Sequence, residues 1–116
     1  MIMNATARAK FVRGSARKAR LVIDQIRGKN VGEAMKILKF SPKYASTAIE
    51  TCLKSAVSNA LQKNTMLDAD ELFVSRAFID GGPIMKRIRP ATMGRAFRIL
   101  KRFHHITIEV TEKQKN

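Results

Sequence analysis

Residues 83–103 read PIMKRIRPATMGRAFRILKRF. The cations in this run are Lys86, Arg87, Arg89, Arg95, Arg98, Lys101 and Arg102, and no acid separates them. Ile84, Ile88, Phe97, Ile99 and Leu100 are interleaved, and Pro90-Ala91-Thr92-Met93-Gly94 sits where a turn would fall. The pattern predicts a β-hairpin that leaves the body of the protein. Two arms of about eight residues, rising about 3.3 Å per residue, reach roughly 25 Å. A lone two-stranded ribbon is marginally stable, and like charges facing across it weaken it further. RNA around the ribbon relieves both problems: phosphates meet Arg and Lys, while bases and sugars meet the apolar residues. Arginine outnumbers lysine here, and its planar fork suits bidentate phosphate contact and stacking on bases.

The flanks of this run read as ordinary core. Leu72 to Ile79 is rich in Phe, Val and Ile and predicts a strand, interrupted by Asp80-Gly81-Gly82-Pro83. From about His104 to Thr111 a second strand is expected, with Ile106, Ile108 and Val110 inward and Thr107, Glu109 and Thr111 outward. Glu112 to Asn116 reads as a polar tail. At the other end Ala5, Ala7, Ala9 and Phe11 alternate with Thr6, Arg8, Lys10 and Val12, a strand with one small apolar face and one mostly basic face.

Between these strands lie three helical patterns. Ser15 looks like an N-cap for a helix from Ala16 to Arg27 ended by Gly28, with Ala19, Val22, Ile23 and Ile26 inward. Asn30 with Glu33 three residues later starts a second, with Val31, Ala34, Ile37 and Leu38 inward, ended at Ser41-Pro42. The third is the plainest: Ala45, Ala48, Ile49, Cys52, Leu53, Ala56, Val57, Ala60 and Leu61 recur at three and four. Asn64 to Asp70 reads as a loop. The order β-α-α-α-β-β predicts an α+β fold, a small antiparallel sheet covered on one face by three helices, with a long protruding β-hairpin. Residues 1–116 read as one domain, 83–103 being its extended arm.

Composition narrows the function. Lys and Arg number 23 against 9 Asp and Glu, a formal charge of +14, with a pI near 10.8. A folded domain so charged repels itself, and a nucleic acid is the commonest polyanion that relieves the repulsion, releasing counterions at each phosphate. A membrane surface would call for a basic amphipathic helix with bulky anchors, yet there is no Trp, and no apolar run reaches the length of a membrane span. The acid-free first 23 residues faintly resemble a transit peptide, but they also read as integral structure. Cys52 is the single cysteine, so neither an internal disulfide nor a cysteine-based zinc site can form, and its place in an apolar stripe makes it a small buried hydrophobe.

Catalysis finds no footing. His104 and His105 are the two histidines, adjacent and therefore on opposite faces of a strand, unable to share a metal or form a base pair of a triad. Gly81-Gly82-Pro83 lacks the helix and Lys of a phosphate loop. Asp68, Asp70 and Glu71 do not match a calcium loop. No enzyme, metal or cofactor is expected. The residues placed to contact RNA are Arg8, Lys10, Arg13, Arg17, Lys18, Arg20, Arg27, Lys29, Lys86, Arg87, Arg89, Arg95, Arg98, Lys101, Arg102 and His105.

Several runs together resemble the large-subunit ribosomal protein family numbered twenty-two, in its bacterial form. They are Ala16-Arg17-Lys18-Ala19-Arg20-Leu21-Val22 with Ile26-Arg27-Gly28-Lys29, Ser58-Asn59-Ala60, Gly82-Pro83 with Lys86-Arg87-Ile88-Arg89-Pro90, Gly94-Arg95-Ala96, and Lys101-Arg102 with His105-Ile106-Thr107-Ile108. The likeness runs from about Thr6 to Val110. It implies a structural component of the large subunit, in the cytoplasmic ribosome, that binds 23S-type rRNA, assists assembly and touches neighbouring large-subunit proteins. It further implies a hairpin whose tip, Arg89, Pro90, Ala91, Thr92, Met93, Gly94 and Arg95, lines the nascent-peptide exit tunnel and meets the nascent peptide. The chain departs from the family at Ala91-Thr92-Met93, where an arginine usually follows the proline, and at Ser15-Ala16, where Ser-Pro is usual. A free RNA- or DNA-binding module using the hairpin as an arm is the alternative, distinguished by whether the protein sediments with the large subunit.

Overall fold

The computed structural model describes residues 4–41, 45–63, 71–90 and 96–112, with backbone alone for 85–90 and 96–100. Six elements follow in chain order: β1 (Asn4–Arg13), α1 (Ala16–Ile23), α2 (Val31–Phe40), α3 (Ala45–Lys63), β2 (Leu72–Pro90) and β3 (Ala96–Glu112). The strands form one antiparallel sheet in the order β1-β3-β2. The expected α+β architecture is what the chain adopts. Of the sequence expectations, the helix end at Pro42, the loop from Asn64 to Asp70, residues 91–94 of the turn and the tail beyond Glu112 lie outside the described residues.

The core follows from the alternation. Ala5 and Ala7 pair with Val110 and Ile108, while Ala77 and Ile79 pair with Ile108 and Ile106. All are buried on one face, where α3 lies across β1 and β3 and α1 lies against β2. The alanines of β1 and the small residues Cys52, Ala56 and Ala60 of α3 let backbone approach backbone. The Cys52 thiol lies 3.5 Å from the Ala7 carbonyl. Its burial pushes the thiol pKa up to about 11, against the weaker opposite pull of backbone hydrogen bonds with Ala9 and Ile108. The reading of Cys52 as an inert core residue agrees with that position.

Several local expectations are corrected. First, α1 ends at Ile23, not Arg27, and residues 24–28 continue as turns. The chain is drawn off the helix path by β2: Gly28 N–H donates to the Val74 carbonyl at 2.9 Å, and Val74 N–H to that of Lys29 at 2.8 Å. Gly28 sits at φ 79, which a side chain would strain. Second, β1 does not keep its phase. The register shifts between Ala9 and Val12, leaving Phe11 exposed and turning Val12 toward the core. Third, Asp80-Gly81-Gly82-Pro83 does not break the strand. β2 runs through it with a register shift between Gly81 and Ile84, and a Cβ on Gly82 would meet the Phe103 carbonyl oxygen at 3.0 Å. Fourth, Thr107 and Thr111 are buried although on the face away from the helices, because β3 is the central strand. The Thr111 hydroxyl lies 2.7 Å from Ser75 Oγ, closing a polar cluster with Asn4 and Glu109. Glu112, read as tail, pairs with Leu72 inside the sheet.

Asn30 caps α2 as expected, its side chain accepting from Gly32 N–H at 2.9 Å. Ser15 occupies the N-cap of α1 but makes no side-chain capping bond.

Candidate nucleic-acid interface

Acids are absent from two stretches, residues 1–23 and 81–108. The fold lays one against the other. Arg8 pairs with Thr107 and Arg13 with Phe103, and Gly14 N–H donates to the Arg102 carbonyl at 2.9 Å. Both stretches therefore meet at the end of the sheet where β1 stops and the β2–β3 ladder continues alone. The carboxylates of Glu71, Glu109 and Glu112 belong to the opposite end, where Leu72 pairs with Glu112. Arg8, Lys10, Arg13, Arg17, Lys18 and Arg102 are exposed, and their side chains have no hydrogen bond or ion pair among the described residues. The Lys29 side chain, at the end of the turns after α1, is likewise exposed and without a partner among the described residues. Cations with free donors, held apart by a sheet and a helix, form a surface suited to phosphate.

Two of the residues expected to contact RNA also bond within the protein. Arg20 donates from Nε and Nη2 to the Ile79 carbonyl at 3.2 and 3.1 Å, and Arg27 from the same pair to the Ala77 carbonyl at 3.0 and 2.8 Å. Arg27 also pairs with Asp24 at 2.8 Å. These guanidinium groups cover the free edge of β2, satisfying carbonyls that a bare edge would offer to another chain. On the far edge Asn59 and Lys63 of α3 do the same for the Thr6 and Asn4 carbonyls of β1.

The two histidines separate as adjacent strand residues should. His104 is buried, and its Nδ1 is 3.0 Å from the Gly14 carbonyl, which can only accept, so Nδ1 carries a proton. Its Nε2 is buried with no partner among the described residues. On the opposite face His105 Nδ1 accepts from the Phe11 backbone N–H at 3.0 Å, so the expected RNA contact, His105, has only its other nitrogen to offer outward. A cavity of about 480 Å³ opens between β1 and α1, lined by Arg13, Gly14, Ser15, Lys18, Leu21, Ala45 and His104. The start of α1 faces no acid in its first turn, so the helix dipole adds to the positive charge there.

Along the ladder the register sets cations against apolar residues. Ile84 is opposite Arg102, Met85 opposite Lys101, Lys86 opposite Leu100, Arg87 opposite Ile99, Ile88 opposite Arg98 and Arg89 opposite Phe97. The like-charge pairing that the sequence pattern threatened is avoided at every one of these positions. The last described pair is Pro90 with Ala96; Ala91, Thr92, Met93, Gly94 and Arg95 lie outside the described residues.

Sequence reading missed Phe11 as a surface group and Arg76, whose guanidinium carbon stands 5.6 Å from the centre of the Phe78 ring on the sheet face away from the helices. A signal for the first existed: Phe11-Val12 is an apolar pair in a strand that otherwise alternates, the trace of a bulge.

Comparison with known proteins adds an independent line. A family model described as "Ribosomal protein L22p/L17e" matches residues 7–111. The "Large ribosomal subunit protein uL22" of Leptospira biflexa serovar Patoc (strain Patoc 1 / ATCC 23582 / Paris) is 53% identical over 114 residues, covering 98% of this chain and 97% of the relative. Proteins of the same name from Halothermothrix orenii and Solibacter usitatus are 54% and 46% identical, each covering 97% of this chain and 98% and 99% of the relative.

Proposed function

The chain belongs to the ribosomal protein L22p/L17e family and is a structural protein of the large ribosomal subunit, not an enzyme, and we propose that there it binds the large rRNA through its acid-free end. The carrying observation is the convergence of the two acid-free stretches, which gathers Arg13, Arg17, Lys18 and Arg102 at the root of the β2–β3 ladder. In this reading the body, with the rest of residues 1–116, docks on rRNA and steadies its folding during assembly, beside other large-subunit proteins. The arm, 83–103, threads between RNA segments that neutralise its cations. Its tip, 89–95, stands in the wall of the exit tunnel in reach of the nascent peptide. The cation-against-apolar register suits such a path, since either side of the ribbon can offer charge to phosphate and apolar surface to bases.

Binding of the full chain to deproteinised large-subunit rRNA tests the docking surface. Replacing Arg13, Arg17, Lys18 and Arg102 together with Ser lowers affinity by roughly 100-fold or more, because several phosphate contacts are lost at once; undiminished affinity with an unchanged fold would refute it. For the tip, a photo-crosslinking residue at Met93 in ribosomes stalled on a nascent chain is expected to label that chain. Labelling confined to groups outside the tunnel would refute the placement.

A further inference from the structure

Phe11 is an unusual residue to leave in water. It is 63% exposed, and an aromatic ring is among the largest apolar surfaces a side chain can bury. Its backbone lies at φ 58, the one non-glycine residue with positive φ among the described residues. For a residue with a bulky side chain that conformation is strained, and such strain persists only where neighbours hold it.

The neighbours that hold it are specific. The bulge sets Lys10 and Phe11 against His105, whose Nδ1 accepts the Phe11 N–H at 3.0 Å. The two rings meet edge-on, centroids 5.0 Å apart and planes at 89°. A T-shaped contact takes at most one face of the phenyl ring, so a face remains open. Had the strand kept its alternation, Phe11 would face the core; the bulge brings the ring out instead. Around it are the unpaired cations Arg8, Lys10 and Arg13 of β1. Asp80, opposite His105 on β2, is the nearest carboxylate by register.

An exposed, backbone-locked aromatic ring among cations with no internal partner matches the chemistry of an unpaired nucleotide, which brings a π-face and a phosphate together. We propose that Phe11 is a stacking platform for an unpaired base of the bound rRNA, aimed by the β1 bulge and by His105. An apolar side chain of a neighbouring protein would use the ring but would leave Lys10 and Arg13 without counter-charge. The proposal rests on rRNA binding as read above and adds to it a specific contact that neutralising the cations would not reveal.

The test compares the full chain with Phe11→Leu and Phe11→Tyr for binding to deproteinised large-subunit rRNA over a salt series. Leucine keeps the bulk and the same backbone strain, so both variants are expected to fold and melt like the parent. Phe11→Leu loses roughly 10-fold in affinity at every salt concentration, Phe11→Tyr keeps it, and the slope of log K against log salt does not change because no phosphate contact is lost. Equal affinity of the leucine variant and the parent overturns the stacking role while leaving rRNA binding intact. Failure of the parent itself to bind overturns the underlying reading instead. In assembled subunits, p-benzoylphenylalanine at position 11 is expected to form its adduct with RNA; an adduct with a protein alone overturns the proposal.

Discussion

Arginines of α1 and the turns that follow it divide between two kinds of work. Arg20 and Arg27 each donate twice to a single carbonyl on the edge of β2, whereas Arg17, on the same stretch of chain, has no partner among the described residues. The consequence is that two otherwise similar substitutions act on different properties, one on stability and the other on binding. Arg27→Ala removes a charge-assisted pair of hydrogen bonds from a half-exposed site and is expected to cost about 1 kcal/mol of stability. Arg17→Ala leaves melting within about 0.5 kcal/mol, but reduces the salt slope of rRNA binding by about one phosphate contact. Thermal melts beside salt-dependent binding measure both, and the reverse pattern would show that the edge bonds are not structural. The same division explains what a list of cations cannot reveal. In sequence the basic residues at 17, 20 and 27 look alike, and only the path of β2 past α1 tells which of them are occupied.

At the scale of elements, the long β2 and β3 strands depend on the passage at Gly81-Gly82-Pro83. The sequence predicts a strand interruption there, because Gly and Pro end strands and Pro lacks a donor. The ladder instead absorbs one irregularity and continues to Pro90↔Ala96. The reason is steric: without a Cβ at residue 82 the Phe103 backbone comes close enough for pairing to resume. Gly82→Ala is therefore expected to cost about 1–2 kcal/mol and to loosen the pairs beyond Ile84↔Arg102. Gly81→Ala, with nothing within 4 Å of its new methyl group, should be close to neutral. Amide hydrogen exchange at residues 101–104 distinguishes them, and equal protection in both variants would sink the explanation. Helix α1 shows the opposite case. Its apolar period continues through Ile26, which is buried as expected, yet the helix stops at Ile23 because Val74 accepts from the Gly28 N–H and donates to the Lys29 carbonyl, bonds that no periodicity encodes.

For the whole molecule the dominant quantity is the charge of +14. Carried by a body with few ion pairs among the described residues, it works against the free fold and in favour of the RNA complex, and salt separates the two effects. Raising salt from about 50 to about 200 mM is expected to raise the melting temperature of the free protein by screening repulsion among like charges. Over the same range rRNA affinity falls by roughly a thousandfold or more if about six phosphates are contacted. A flat binding profile would mean that phosphate contacts do not dominate. Charge, the acid-free runs, the alternation of Ala5 to Ala9 and of Ile106 to Val110, and the stripe of α3 were all legible in the amino-acid order, because each depends on residue type and short-range period. They determine an α+β chain that seeks a polyanion. The structure alone decided that the two acid-free runs share one end of the sheet, that Arg20 and Arg27 guard an edge, that cations in the ladder stand opposite apolar residues, and that Phe11 faces water. Those facts depend on register and on contacts between residues some 50 to 100 positions apart, such as Phe11 with His105 and Arg20 with Ile79. A local pattern holds no information about which distant backbone atom will arrive beside it, and a single extra residue in one strand reverses every face beyond it.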